Sequence, residues 1–239
     1  MTRTVVVTGA GTGIGRAVAA AFAEDGDDVV ITGRRPAPLQ AVAAELGARA
    51  LVCDAGDPDE VEALLERLPA SVDVLVNNAG GNTDFDRQTS SNLRELADNW
   101  RANIEANLLT AVLMTTALID RLAEGGAVIS IGSIAADKGA GAYGAAKAGL
   151  ASWNVELSAG LGPRGVTANV VSPGYIADTE FFRDRLTAER RRSLVSAIPT
   201  GRPGTPRDVA GAVSFLASPA ARQITGQVIA VNGGEHATR

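Results

Sequence analysis

The sequence contains very few of the residue types on which many protein functions depend. Among 239 residues there is one cysteine, Cys53, one histidine, His236, and only two lysines. A single cysteine excludes an internal disulfide bond, and its place after Leu51 and Val52 favours a buried structural thiol. Metal sites built from histidine and cysteine, and mechanisms that use a core histidine base, have no candidate residues. We therefore expect no metal site.

Long apolar runs and an excess of positive charge are also missing. No apolar run approaches the roughly 20 residues of a membrane span, and Met1-Thr2-Arg3 leads into a predicted strand without a signal-peptide pattern. The net charge is −5, whereas affinity for nucleic acids comes largely from Lys and Arg. These features predict a cytoplasmic protein that binds neither membranes nor nucleic acids.

The chain does contain a regular alternation of strand and helix patterns. We predict strands near 4–8, 28–32, 49–53, 72–76, 127–132, 166–171 and 227–231, and helices near 14–25, 37–46, 57–68, 91–123, 142–161 and 207–217. This alternation is typical of an α/β protein with helices on both faces of a parallel sheet. We expect a single Rossmann-type doubly wound domain, residues 1–239, with seven parallel strands. Residues 175–205 carry no strand pattern and are expected to form a substrate-lid insertion.

A glycine-rich loop follows the first predicted strand. The strand reads TVVVT, and Gly9, Gly11, Gly13 and Gly15 precede an alanine-rich helical pattern. Glycine permits positive φ and lets a phosphate approach backbone N–H groups, and the positive end of the next helix dipole favours an anion. This stretch alone fits either a pyrophosphate site or a tight turn without a ligand.

Two arginines follow the second predicted strand. About 20 residues after the glycine loop, NAD-binding folds normally have an acid for the ribose 2′-hydroxyl, whereas an arginine suits a 2′-phosphate. Arg34 and Arg35 therefore indicate NADP, unless they only begin a solvated helix. Asp54, after the third strand, could accept a hydrogen bond from the adenine amino group or cap the following helix.

Tyr143 and Lys147 lie four residues apart in a predicted helix, so their side chains share one face. With two tyrosines and two lysines in the chain, this pattern is expected about 0.02 times by chance. The pKa of a free tyrosine is about 10, and a nearby ammonium lowers it by favouring the phenolate. Ser133, at the end of the preceding strand, could donate to the same substrate oxygen. The pattern predicts a tyrosine acid–base site.

These motifs, taken in order, resemble the short-chain dehydrogenase/reductase family over nearly the whole chain, with overall similarity to 3-oxoacyl-acyl-carrier-protein reductases. The matching stretches are Thr8-Gly9-x-x-x-Gly13-Ile14-Gly15, Asn77-Asn78-Ala79-Gly80, Asn107, Ser133, Tyr143-x-x-x-Lys147, Pro173-Gly174, Ile224-Thr225-Gly226-Gln227 and Val231-Asn232-Gly233-Gly234. The resemblance implies that Tyr143 is the acid/base and that Ser133 orients the carbonyl or hydroxyl. It implies that Lys147 holds the nicotinamide ribose while lowering the tyrosine pKa, and that Asn107 kinks the long helix and holds a water.

The resemblance also implies a set of cofactor contacts, which extends from the glycine loop to the start of the insertion. The expected contacts are Gly9, Thr12, Gly13, Ile14, Gly15, Arg34, Arg35, Asp54, Ala55, Asn78, Ala79, Gly80, Tyr143, Lys147, Pro173, Gly174, Ile176 and Thr179. Three features depart from the family pattern. The segment from Ser133 to Tyr143 is a few residues short, Asp178 stands where relatives often have threonine, and Thr12 replaces a basic residue common in NADP-using relatives.

The predicted function is therefore an NADP(H)-dependent oxidoreductase that interconverts a ketone, such as a 3-oxoacyl compound, and a secondary alcohol. We expect a small-molecule or acyl-thioester substrate and a homotetramer or homodimer. A catalytically silent dinucleotide-binding or scaffold protein on the same fold is the alternative. The arginines of the insertion, Arg183, Arg185 and Arg190 to Arg192, form either a docking patch for an acidic carrier protein or a solvated lid surface.

Overall fold

A seven-stranded sheet forms the centre of the fold in the computed structural model, which describes residues 2–86, 92–182 and 186–237. The strands are β1 (Thr4–Thr8), β2 (Asp28–Gly33), β3 (Arg49–Val52), β4 (Val72–Asn77), β5 (Leu122–Ile131), β6 (Thr167–Pro173) and β7 (Val228–Val231). Their order is β3-β2-β1-β4-β5-β6-β7, and every neighbouring pair is parallel. The predicted α/β fold with a seven-stranded parallel sheet is confirmed.

Helices cover both faces of this sheet. They are α1 (Gly13–Glu24), α2 (Pro36–Leu46), α3 (Pro58–Leu65), α4 (Leu93–Ile104), α5 (Thr110–Leu118), α6 (Ala135–Lys138), α7 (Gly141–Leu161), α8 (Ala188–Ser196) and α9 (Pro206–Leu216). In β1, Val5 and Val7 join the core cluster under α1, α2 and α9, while Val6 joins the cluster under α3, α5 and α7. A strand buried on both faces needs apolar residues at every position, which accounts for the valine run.

The long helical region predicted near 91–123 contains a change of helix type. Between α4 and α5, residues Glu105–Leu109 form a π-helical turn, and a short 3₁₀ turn, Ile119–Arg121, precedes β5. Strand β5 begins at Leu122 rather than near 127, because its first residue already pairs with Val72 before an irregularity in the register.

By length and composition alone, the helical region Leu93–Arg121 is apolar enough to cross a membrane. In this fold its Met114 and Leu118 side chains are fully buried in the core. A helix buried against a sheet needs an apolar face, so its composition follows from its place in the protein.

Two helices that the sequence patterns did not predict lie near the carboxyl edge of the sheet. Helix α6 is a single turn of four residues, and α8 has no buried residue. An exposed helix needs no apolar stripe, which explains why α8 gave no periodic signal. Its start is instead defined by Thr187, whose side chain accepts a hydrogen bond from the Arg190 N–H. Helix α3 ends at Leu65, three residues earlier than predicted.

The strand order places a crevice at one edge of the sheet. Strand β2 lies on one side of β1 and β4 on the other, so the connections after β1 and β4 diverge in opposite directions. In open parallel sheets, ligands bind in the crevice at such a switch point, outside the carboxyl ends of the strands. The predicted site residues follow these strand ends.

Candidate active site

The glycine loop after β1 is built for close backbone approach. Gly9 has φ +65°, and a Cβ there would lie 2.8 Å from the Ala79 Cα, so only glycine fits. Helix α1 begins at Gly13, and its N-cap residue Thr12 makes no side-chain capping hydrogen bond. The N–H groups of the first turn of α1 therefore have no side-chain cap and face the cleft, an arrangement suited to an anion.

Asn78 joins the glycine loop to the end of β4. Its Nδ2 atom donates to the carbonyl oxygens of Thr8 and Gly9, each at 3.0 Å. In return, the Thr8 hydroxyl accepts from the N–H groups of Asn78 and Ala79, at 3.0 and 2.9 Å. These bonds hold β1 and β4 together at the switch point.

Arg34 and Arg35 both lie at the rim of the crevice, but they have different partners. The Arg34 guanidinium lies 3.6 Å from the Asp54 carboxylate. Arg35 pairs at 2.7 Å with Glu180, which follows β6 in the insertion, and donates a longer bond of 3.4 Å to the Thr12 hydroxyl. A lid carboxylate thus lies beside the glycine loop, where an anionic ligand would compete with it for the same arginine.

Asp54 does not cap α3. Its Oδ1 atom accepts a 3.0 Å hydrogen bond from the Gly56 N–H within a turn. The cap is Asp57, whose side chain accepts from the N–H groups of Asp59 and Glu60. Of the two roles considered for Asp54, helix capping is therefore wrong, and the contact with a cofactor stays a prediction.

Ser133, Tyr143 and Lys147 converge at the ends of β5 and α7. Lys147 is 5% exposed. Its Nζ atom lies 5.9 Å from the centroid of the Tyr143 ring. The same atom donates a 2.7 Å hydrogen bond to the Ile131 carbonyl. Tyr143 is 6% exposed, and the Ser133 side chain lies close enough to its phenol to lower the pKa of that phenol. The spacing of four residues thus brings phenol, hydroxyl and ammonium to one place.

Burial dominates the electrostatics of this group. Burial raises the pKa of Tyr143 to about 12, against the lowering effect of the Ser133 hydrogen bond. Burial also lowers the pKa of the Lys147 ammonium to about 8. Burial thus outweighs the effect of Ser133 in setting the pKa of Tyr143, and the role of Lys147 in lowering that pKa stays a prediction.

Asn107 lies in the π-helical turn and holds the loop after β4. Its amide exchanges two 2.9 Å hydrogen bonds with the Gly81 backbone, accepting from the N–H and donating to the carbonyl. A second donor bond of 3.0 Å reaches the Asn103 carbonyl. The helix changes from α to π type at this residue, and the predicted kink and bound water stay predictions.

These groups line one cleft of about 1160 Å³. The predicted residues that line it are Gly9, Thr12, Gly13, Ile14, Arg34, Arg35, Asp54, Ala55, Asn78, Ala79, Gly80, Ser133, Tyr143, Lys147, Pro173, Gly174, Ile176 and Thr179. Gly15 and Asn107 do not line the cleft. Gly15 instead lets α1 pack against Asn78, and Asn107 acts from behind the Gly81 loop.

The short segment between Ser133 and Tyr143 is tied to the end of the chain. Lys138, in α6, pairs at 2.8 Å with Glu235, whose side chain is 4% exposed. The neighbouring Asp137 lies 3.7 Å from His236. The second lysine of the chain therefore also has a specific partner, which ties this segment to the end of the chain.

The insertion contributes groups to the cleft that sequence reasoning missed or only partly foresaw. Phe181 and Phe182 of the predicted lid line the cleft, and the contact of Glu180 with Arg35 gave no sequence signal. Thr179 approaches the glycine loop, since a Cβ at Gly13 would lie 3.6 Å from its Cγ2 atom. Arg183 and Arg185 lie outside the described residues.

Comparison with known proteins agrees with this geometry. Residues 9–236 match the family model described as enoyl-(acyl carrier protein) reductase. The chain is 37% identical over 239 residues to the 3-oxoacyl-[acyl-carrier-protein] reductase FabG of Escherichia coli K12, which covers 96% of this chain and 95% of the relative.

Two solved structures have the same fold over nearly their whole length. One is a blue fluorescent protein from a metagenomic library in complex with NADPH, with 33% identity, a TM-score of 0.86 and 98% of each chain covered. The other is a short-chain dehydrogenase/reductase from Brucella melitensis, with 33% identity, a TM-score of 0.88, and 99% of this chain and 97% of that one covered. With the ordered motifs and the cleft they line, these similarities identify the chain as an oxidoreductase of the short-chain dehydrogenase/reductase family, similar to 3-oxoacyl-acyl-carrier-protein reductases.

Proposed function

We propose that the protein is an NADPH-dependent reductase that interconverts a ketone and a secondary alcohol. The observation that carries the proposal is that Ser133, Tyr143 and Lys147 line the same cleft as the glycine loop and the two arginines after β2. A protein that only bound a dinucleotide would need the glycine loop and the two arginines. It would not need Ser133, Tyr143 and Lys147. The acid–base group therefore favours an enzyme over a silent scaffold.

The residues of the cleft fit a phosphorylated dinucleotide. The uncapped start of α1 offers backbone N–H groups to a pyrophosphate. Arg34 is 74% exposed at its side chain and stands where an arginine suits a 2′-phosphate. The complex of the metagenomic relative with NADPH supports the same choice. Lys147 would hold the nicotinamide ribose, and NADPH would supply the hydride.

The chain's own residues would control the carbonyl oxygen. Tyr143 donates its phenolic proton to that oxygen, and Ser133 donates a second hydrogen bond that orients it. Lys147 supplies a positive charge beside the phenolate that remains, which favours the proton transfer. In the reverse direction the same phenolate removes the proton of the alcohol. Asn107 positions the loop after β4 and is a positioning residue.

The name of the E. coli relative supports a ketone of the 3-oxoacyl type among the candidate substrates. A cytoplasmic location and assembly into a homotetramer or homodimer also remain part of the proposal. The lid, residues 175–205, would order over cofactor and substrate, with its contacts to the glycine loop through Glu180 and Thr179.

The experiment that tests the proposal is a comparison of Tyr143→Phe with Tyr175→Phe, the matched change at the other tyrosine of the chain. NADPH oxidation is followed with a panel of ketones and 3-oxoacyl thioesters, and NADPH affinity is measured separately by calorimetry. Loss of the Tyr143 hydroxyl should lower kcat by about 10²- to 10⁴-fold and leave NADPH affinity nearly unchanged. Tyr175→Phe should retain most of the turnover.

Two results would contradict the proposal. If no carbonyl compound supported NADPH oxidation by the unmodified protein while NADPH still bound, a dinucleotide-binding scaffold would be the better description. If Tyr143→Phe kept substantial turnover, the acid would have to be Ser133 or a bound water.

A further inference from the structure

Aromatic side chains are rare in this chain, yet most of them form one group of contacting rings, of which Tyr143, Phe181 and Phe182 line the cleft. The sequence has five phenylalanines and two tyrosines. Five of these seven, Phe85, Tyr143, Tyr175, Phe181 and Phe182, form one cluster with ring centroids 5.1 to 5.9 Å apart in each contact. The cluster joins the loop after β4, the start of α7 and the insertion, and we call it the aromatic cluster.

Phe181, like Phe182, contacts three other rings of this cluster. Its ring lies 5.6 Å from Phe85 and 5.1 Å from Phe182, with interplanar angles of 86° and 85°. It also lies 5.7 Å from the ring of Tyr143. A ring of the chain itself therefore packs directly on the phenol that the proposed function makes the proton donor.

The geometry of these contacts favours a particular kind of ligand group. Edge-to-face contacts bring the positive edge of one ring to the negative face of another. This electrostatic attraction adds to the free energy gained from burying apolar surface. A linear or saturated group can fill the same space, but it gains only the free energy of apolar burial. Walls made of aromatic edges and faces therefore discriminate in favour of flat, unsaturated rings.

We infer that the substrate is a ketone with an aryl group on its carbonyl carbon, and that this ring takes the place of Phe181 between Phe85, Phe182 and Tyr143. Phe181 moves aside with the insertion, and the substrate ring forms the contacts that Phe181 leaves. The carbonyl then lies next to the Tyr143 hydroxyl. The inference rests on the proposed function and specifies the class of ketone for the same site.

The test uses two ketones of equal carbon skeleton, acetophenone and cyclohexyl methyl ketone, with the full chain and NADPH. A 3-oxobutyryl thioester serves as a linear comparison. The unmodified protein should show a kcat/KM for acetophenone about tenfold or more above that for the saturated ketone, because at least one ring contact is lost on saturation.

Variants then locate the origin of the preference. Phe182→Leu should reduce the ratio of the two kcat/KM values to within about twofold, whereas Phe182→Tyr should keep it. Phe85→Leu gives the same measurement from a different loop, so the test does not depend on one variant folding. Phe215→Leu, on the exposed face of α9 with 49% of the residue exposed, is the control and should leave the ratio unchanged.

The failure of this inference differs from the failure of the proposed function. Equal or better turnover of the saturated or linear ketone by the unmodified protein would overturn the aryl specificity and leave a ketone reductase. An aryl preference that survived both Phe182→Leu and Phe85→Leu would show that the aromatic cluster does not cause it. Absence of turnover with every carbonyl compound would overturn both proposals.

Discussion

The Lys147 ammonium lies 5.9 Å from the centre of the Tyr143 ring, and both side chains are almost completely buried. An ammonium that is removed from water is costly unless it is paired with an anion. Here its hydrogen bond goes to the neutral Ile131 carbonyl. The charge is thus held at a place where it destabilises the folded protein, which is common in residues kept for chemistry.

Lys147→Met should therefore stabilise the protein while lowering its activity. The pKa of Lys147 falls from 10.5 to about 8 on folding, so its burial costs roughly 3 kcal/mol below pH 8 at about 1.4 kcal/mol per unit. After subtraction of about 1 kcal/mol for the lost hydrogen bond, a net gain of about 1–2 kcal/mol remains. Urea unfolding of both proteins at pH 7 measures it, and kcat and NADPH affinity should both fall.

The sign of this effect also fixes its pH dependence. The folded protein binds fewer protons at Lys147 than the unfolded chain between pH 8 and 10.5, so the cost disappears as the pH rises through that window. The stability difference between Lys147→Met and the unmodified protein should narrow from pH 8 to pH 10. A difference that grew over this range would contradict the assignment. Changes at Cys53, whose pKa burial raises to about 11, affect both proteins equally and cancel.

Tyr143 should titrate differently with and without the oxidised cofactor. Burial raises its pKa to about 12 when the Phe181 ring covers it. Displacement of that ring and a nearby positive nicotinamide would both favour the phenolate. Ultraviolet difference titration of phenolate should show the Tyr143 transition above pH 10 in the free protein and below it with NADP⁺.

Tyr175→Phe removes the other tyrosine and isolates this signal. Tyr143→Phe should abolish the cofactor-dependent component. A transition of Tyr143 that did not move on addition of saturating NADP⁺ would leave the pH dependence of alcohol oxidation without an explanation at this residue.

Much of the fold was predictable because apolar patterning determines it. Val5, Val6 and Val7 indicate a strand buried on both faces without any knowledge of its neighbours. Tyr143 and Lys147 were predictable for a similar reason, since the helix period alone brings them to one face. The raised pKa of Tyr143 was not predictable, because it comes from burial in the folded protein, to which distant residues contribute. One of the rings packed on it, Phe181, is 38 residues away in the chain and unrelated to it by any local period.

Substitution of Arg34 should change the choice of cofactor. Arg34→Asp removes the charge expected to pair with a 2′-phosphate and adds an anion that can accept from a 2′-hydroxyl. We expect the ratio of NADH to NADPH affinity to rise by about 10- to 100-fold, the range of a charge-assisted hydrogen bond. Calorimetry with both cofactors measures it, and Arg207→Asp on α9, 90% exposed at its side chain, is the control. Equal affinities for NADPH and NADH in the unmodified protein would contradict the proposed preference.

Glu180→Gln should tighten NADPH binding modestly. The Glu180 carboxylate pairs with Arg35 at 2.7 Å, but both side chains are about 60% exposed, so the pair contributes little to holding the lid. Its negative charge nevertheless lies beside the proposed phosphate site. Removal of the charge should lower the Kd for NADPH about two- to fivefold, with a smaller effect at high salt. Glu189→Gln on α8 should leave the Kd unchanged, and weaker binding by Glu180→Gln would instead make Glu180 part of the bound state.

Oligomerisation should depend on an apolar stripe along α4. Leu93, Leu96, Trp100 and Ile104 are 83%, 46%, 42% and 42% exposed, and their spacing places them on one face of the helix. Leu150 on α7 is buried within the subunit and does not contribute to this surface. Trp100→Arg should lower the mass measured by light scattering at micromolar concentration. A monomeric mass for the unmodified protein would contradict the predicted assembly.

The scarcity of lysine makes this protein unusually simple to label with amine-directed reagents. Apart from the α-amino group, the only primary amines are those of Lys138, 45% exposed at its side chain, and Lys147, buried in the cleft. Burial lowers the pKa of the Lys147 amine to about 8, and this effect is lost when the cleft opens, so the accessible amine reacts as an ordinary lysine does. The ratio of acylation at Lys147 to acylation at the exposed Lys138 would therefore measure how often the cleft opens to solvent, without any introduced probe.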